Sequence, residues 1–180
     1  MIIVMGLPGA GKSTLLGKLK ESGSAYEIVN YGDLMLKIEQ EKGWVKTRDE
    51  MRKLPIEKQK QAQKLVAKWL AKQNGKLILD THCSVNTPSG YYPGLPFDFL
   101  KGLPVEKLVY VTADVNEILA RRQNDPTRVR DSDDVGQHDN MNRSYLAAYS
   151  AFVGAPSVII YNKQGKLDEA VEQLRKLLNS

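Results

Sequence analysis

Short apolar runs alternate along this chain with longer stretches in which apolar positions recur every three or four residues. The runs at 1–5, 26–30, 76–80, 107–112 and 157–161 are rich in Ile, Val and Leu and predict strands. Helical spacing predicts helices over 12–21, 33–41, 56–73, 115–123, 137–152 and 167–178. Strands that alternate with helices predict an α/β fold built on a parallel sheet. In an open sheet of that kind ligands gather beyond the carboxyl ends of the strands, so the residues that follow each apolar run are the candidates for function.

The 180 residues contain no linker-like or repeated stretch, and a single domain over 1–180 is expected. One cysteine, Cys83, together with the lack of a membrane-length apolar run or a basic-then-apolar leader, points to the cytoplasm and away from membranes. The net charge of +5 suits polyanionic ligands, which include nucleotides as well as nucleic acid.

The first run flows directly into GLPGAGKS at 6–13, which fits G-x-x-x-x-G-K-[ST] between a strand and a helix. Gly6, Pro8, Gly9, Ala10 and Gly11 form a loop whose backbone N–H groups can converge on an anion, and the following helix adds its own unpaired donors. In such a loop Lys12 reaches the β- and γ-phosphates, the Ser13 hydroxyl ligates Mg²⁺, and Thr14 faces the α-phosphate.

Asp80 closes the third apolar run, where a carboxylate is costly unless it faces a cation or water; the expectation is that it holds Mg²⁺ directly or through a water. His82 either orients Asp80, contacts a phosphate or is a hydrogen-bonded structural histidine. Residues 87–96, with three prolines and two tyrosines, read as a rigid loop in which Tyr91, beside Gly94 and Leu95, provides a wall for a nucleobase. Further on, Arg121, Arg122, Arg128, Arg130 and Arg143 are interleaved with Asp125, Asp131, Asp133, Asp134 and Asp139. Charges that cancel in this way do not make a stripe for a nucleic-acid backbone, so no nucleic-acid partner is expected. They read as an arginine lid, over about 124–136, that closes on a transferring phosphoryl group. A guanine-specific GTPase is disfavoured: Gly165 ends YNKQG where N-K-x-D needs its Asp, and Cys83 stands where D-x-x-G needs its Gly.

GLPGAGKS, VNYGDLM, RDEMRKL, DTHCSVNTPSGYYPGLP, RRQNDPTRVRD, MNR and IIYNK follow in the order and spacing of the archaeal-type adenylate kinases, and the resemblance covers essentially the whole chain. It implies a five-stranded parallel sheet of order 2-3-1-4-5, the Mg²⁺-dependent reaction of ATP with AMP to give two ADP, and a homotrimer. Other adenylate kinases carry an acceptor-phosphate Arg after the second strand, where this chain has Leu36. Arg52 is the first candidate to replace it and Arg48 the second, with Asn30, Tyr31 and Gly32 near the acceptor base in a region over 31–73. Lys12 and the lid arginines Arg121, Arg128, Arg130 and Arg143 would supply catalytic charge. Asn162 and Gln164, after the last strand, are expected beside the donor base, and the two-sided amide of Gln164 implies that GTP serves as donor as well as ATP. Another nucleoside monophosphate kinase, or a nucleotide-binding assembly module, are the alternatives.

Overall fold

The computed structural model describes residues 1–51, 53–73, 75–124 and 134–179. Strands β1 (Ile2–Gly6), β2 (Glu27–Asn30), β3 (Leu77–Thr81), β6 (Lys107–Thr112) and β7 (Ser157–Tyr161) form one parallel sheet in the order β2-β3-β1-β6-β7. Counted without the hairpin inserted after β3, this is the expected order 2-3-1-4-5.

Alternation along the strands explains the two helical layers, because successive side chains point to opposite faces. Ile3, Met5, Leu77, Leu79, Leu108 and Tyr110 face one core. It is closed by Leu34 and Met35 of α2 (Tyr31–Glu41), Ala62, Val66 and Leu70 of α4 (Ile56–Leu70), Phe99 of α5 (Phe97–Leu100), and Leu146 and Tyr149 of α7 (Val135–Val153). Ile2, Val4, Ile78, Val109 and Val111 face the other, closed by α1 (Lys12–Glu21) and α8 (Leu167–Asn179). A third cluster, of Leu7, Ala10, Ala113, Ile118 and Val135, packs α6 (Val115–Gln123) beneath the phosphate loop at the carboxyl end of the sheet.

Three features depart from the sequence reading. Residues 87–96 are not simply a loop: β4 (Ser84–Thr87) and β5 (Gly90–Pro93) pair as an antiparallel hairpin, closed by the Thr87 hydroxyl donating to the Gly90 carbonyl at 2.6 Å. Gly94 follows, where a Cβ would lie 2.1 Å from the His82 carbonyl oxygen, so only glycine allows the hairpin to fold back on the end of β3. Helix α2 begins at Tyr31 rather than 33, since the Asn30 side chain accepts the Asp33 N–H at 3.1 Å and caps it. A short helix, α3 (Arg48–Met51), lies between α2 and α4.

Candidate functional site

The phosphate loop is assembled by a turn, two braces and a buried ion pair. Ala10 N–H donates to Leu7 O at 3.0 Å, and Gly11 enters α1 with φ +81°. That left-handed residue caps the helix with no side-chain hydrogen bond, which leaves the first-turn N–H groups of α1 available to an anion. A Cβ on Gly11 would also stand 2.3 Å from Asn162 Nδ2. Lys12 is buried, with its ammonium against the Asp80 carboxylate, while Ser13 and Thr14 are exposed. Burial pulls the Lys12 ammonium down from its ordinary value, to about 8.

Asp80, the last residue but one of β3, lies beside Val4 of β1, and its second oxygen accepts from Asn30 Nδ2 at 2.9 Å. Asn30 is therefore occupied twice, holding Asp80 and capping α2. Among the described residues no group of three or more His, Cys, Asp or Glu could hold a metal ion. Magnesium at a nucleotide needs no such cage, taking one or two protein oxygens with phosphates and water completing its shell, and the exposed Ser13 hydroxyl with the Asp80 carboxylate is a donor set of that kind.

The arginines of α6 lie differently from the expected lid. Arg121 donates to the carbonyls of Asn162 at 2.9 Å and Ala10 at 3.4 Å and pairs with Glu117 at 3.1 Å. Arg122, read from the sequence as one of the lid arginines, donates through Nε to Pro8 O at 2.9 Å. Both brace the outside of the phosphate loop. Asn162 is a correction too: it is buried and its Nδ2 donates to Ala10 O at 3.0 Å, so its side chain clamps the loop instead of reading a base. Gln164 is exposed, and its Oε1 lies 3.4 Å from both Nε and Nη2 of Arg121.

Arg143, on α7, donates through Nε to Asp139 at 2.7 Å and through Nη2 to the Tyr161 hydroxyl at 3.2 Å, at the carboxyl end of β7. Burial opposes its charge, but the bonds to Asp139 and Tyr161 outweigh burial and raise its pKa. Arg128, Arg130 and Arg52 lie outside the described residues, as does most of the expected lid.

Among the residues expected on the acceptor side, Arg48 pairs with Asp33 and its Nη1 is 3.1 Å from where a Cβ on Gly32 would be, which brings α3 to the start of α2. Two expectations are corrected here. The Tyr31 ring packs edge-on against Phe99, at 5.2 Å and 82°, and Leu95 is fully buried, so both side chains belong to the core. His82 is exposed beyond β3. Tyr91 lies across the His138 ring, with centroids 4.8 Å apart, and donates its hydroxyl proton to Gln137 Oε1 at 3.2 Å.

The fold and this loop define a P-loop kinase of small molecules, a phosphotransferase of the nucleoside monophosphate kinase class. A family model described as an AAA domain matches residues 5–138. In fold the chain resembles a shikimate kinase from Bacteroides thetaiotaomicron (TM-score 0.58, 16% identity, 99% of this chain and 98% of that one). A sugar kinase from Janibacter is similar at TM-score 0.56 and 13% identity, covering 99% and 93%. Adenylate kinases from Methanopyrus kandleri and Methanocaldococcus jannaschii are 42% and 41% identical to it, covering 100% and 99% of this chain and 98% and 97% of theirs. The one from Thermoplasma acidophilum is 42% identical over 98% of this chain and 97% of its own. The chain belongs to the adenylate kinase family.

Proposed function

We propose that this chain catalyses the reversible transfer of the terminal phosphoryl group of ATP to AMP, giving two ADP, with Mg²⁺, as a single domain acting in the cytoplasm. The observation that carries the reading is the convergence, at the carboxyl ends of β1, β3 and β7, of an uncapped helix N-terminus, the buried Lys12 and the Arg143 guanidinium. Phosphoryl transfer to AMP needs no strong base, because the attacking phosphate oxygen is already an anion. The work falls to positioning, fixed positive charge and exclusion of water.

On this reading the loop N–H groups and Lys12 hold the β- and γ-phosphates of the donor. Arg121 and Arg122 keep the loop in shape, and Arg143, with Arg128 and Arg130, places positive charge on the transferring group. AMP lies toward Asn30, Gly32, Arg48 and Arg52, within a region over 31–73, and a lid over about 124–136 closes above both nucleotides. Ser13 and Asp80 are the residues that would hold Mg²⁺, which supplies charge neutralisation of the β- and γ-phosphates when bound. GTP as a second donor is part of the proposal. The test is a coupled-assay screen of donor and acceptor nucleotides on the purified protein; turnover with another monophosphate in place of AMP, or slow hydrolysis alone, would overturn it.

A homotrimer is also proposed, from the family resemblance. The face of α4 around Trp69 offers it no support, because Trp69 packs against the core beside Val66 and Leu70. A light-scattering mass near that of one 20.2 kDa chain would refute it.

A further inference from the structure

Behind Arg143 lies a buried chain of polar side chains whose direction can be deduced. The Ser84 hydroxyl donates its one proton to Asn142 Oδ1 at 2.6 Å, so the contact of 3.1 Å between Ser84 Oγ and His138 Nε2 must be a bond donated by the histidine. Asn142 Nδ2 donates to the Tyr110 hydroxyl at 3.1 Å, and Tyr110 passes its own proton to Asp139 Oδ1 at 2.8 Å. The Thr112 hydroxyl donates to the same oxygen at 2.7 Å. Every link points toward one acceptor, the Asp139 carboxylate. Burial and the neighbouring Asp139 charge both raise the Tyr110 pKa, which keeps that phenol a donor.

Two donors from β6 thus fix one oxygen of Asp139, and the other takes Arg143 Nε at 2.7 Å. This bond takes the Nε–H of the guanidinium, while Nη2 reaches the hydroxyl of Tyr161, a residue 47% exposed at the carboxyl end of β7. A solvated pair at i,i+4 on a helix would need none of this second tier. Here the Asp139 side chain is only 13% exposed and is anchored to the central sheet, against 32% for Arg143.

We infer that Asp139 is the positioning residue of Arg143: it locks the guanidinium's rotation and height above the sheet, so that its terminal N–H groups are set for the transferring phosphoryl group before substrates arrive. The inference rests on the reading that Arg143 touches that group. A preset donor lowers the barrier because no reorganisation is left for the reaction step.

The test compares Arg143→Ala, Asp139→Asn and the double variant for kcat and for the KM of each nucleotide, with circular dichroism to confirm folding. Asp139→Asn keeps shape and an acceptor for Tyr110 and Thr112 but loses the charge facing Arg143. It should lower kcat by about tenfold or more, by analogy with other residues that orient a functional group, with both KM values within about twofold. In the double variant kcat should be no lower than in Arg143→Ala, since Asp139 then has nothing to position. If Arg143→Ala is slow but the two losses multiply, or Asp139→Asn is as fast as the parent, the inference is overturned while the reading of Arg143 stands. If Arg143→Ala turns over normally, that reading fails and the inference with it. Should Asp139→Asn not fold, Thr112→Val, which removes one anchor from the carboxylate at nearly constant volume, must slow kcat in the parent and not in the Arg143→Ala background; an equal effect in both refutes the positioning role.

Discussion

The Lys12 ammonium and the Asp80 carboxylate form an ion pair across the mouth of the phosphate loop, with side chains only 9% and 10% exposed. Each charge relieves the cost of burying the other. On the proposed function an incoming nucleotide would change that balance, because its phosphates would compete for Lys12 and free the carboxylate for a metal ion. The pair joins β3 to the first turn of α1, and so ties the phosphate loop to the central sheet.

Removal of the lysine should therefore cost both chemistry and order. Lys12→Ala is expected to lower kcat by about two to four orders of magnitude, as loss of a preorganised donor does elsewhere. Steady-state rates with ATP and AMP check this, and near-parental turnover would contradict phosphoryl transfer on this loop.

Because burial lowers the Lys12 pKa to about 8, the free protein should lose this charge as pH rises through that value. The protonated form attracts the donor, so kcat/KM for ATP should fall above pH 8, whereas Lys12→Arg, charged throughout, should show no such fall. The sign for stability is opposite. An unfolded lysine keeps its proton up to about 10.4, so between about 8 and 10.4 the unfolded chain binds more protons and Lys12's contribution to stability rises with pH. Urea midpoints across that range, compared with Lys12→Met, measure it.

Asn162 holds the loop from the other side, through its bond to Ala10 O and under Gly11. Asn162→Ala should raise the KM for ATP by a few-fold to about tenfold, in keeping with one buried hydrogen bond lost. The preference between ATP and GTP should not move, since the side chain touches backbone and no base. A changed preference would return Asn162 to base recognition.

Leu36 stands where related kinases place an acceptor arginine, and α3 carries Arg48 to the start of α2 next to Gly32. Arg52→Ala should raise the KM for AMP far more than that for ATP, and Arg48→Ala should do the same to a smaller degree. Equal effects on both substrates would make them surface residues.

The strands and main helices were legible because the sheet runs are short and largely apolar while each helix repeats with a clear period, and the phosphate loop because its glycines, Lys12 and Ser13 fall at fixed spacing within one short stretch. The hairpin was not, since arms as short as SVNT and GYYP carry too little alternation to stand out from a turn. Arg121, Arg122 and Asn162 bind backbone carbonyls, which leave no pattern in a sequence. Asp139 looked like one of several lid charges; only the fold places Tyr110 and Thr112 of β6 beneath it.

On the proposed function, Gln164 is the residue that would set how strictly the donor base is read. Its backbone N–H is fixed on Glu117 Oε2 at 3.0 Å, and its side-chain oxygen lies at 3.4 Å from two nitrogens of Arg121, which turns the amide NH₂ away from that arginine. So oriented, the NH₂ can donate to the ring nitrogen of adenine or to the carbonyl of guanine, and rotation of the amide, at the cost of two long contacts, presents an acceptor instead. This amide, in one rotation or the other, excludes neither base. The expectation is that kcat/KM for GTP, with AMP as acceptor, lies within about a hundredfold of that for ATP, a gap of roughly 2.7 kcal/mol at 1.36 kcal/mol per decade, and that Gln164→Ala shifts the ratio. A stronger preference for ATP in the parent would refute relaxed donor use. An unchanged ratio in Gln164→Ala would leave the tolerance in place and remove this amide as its cause.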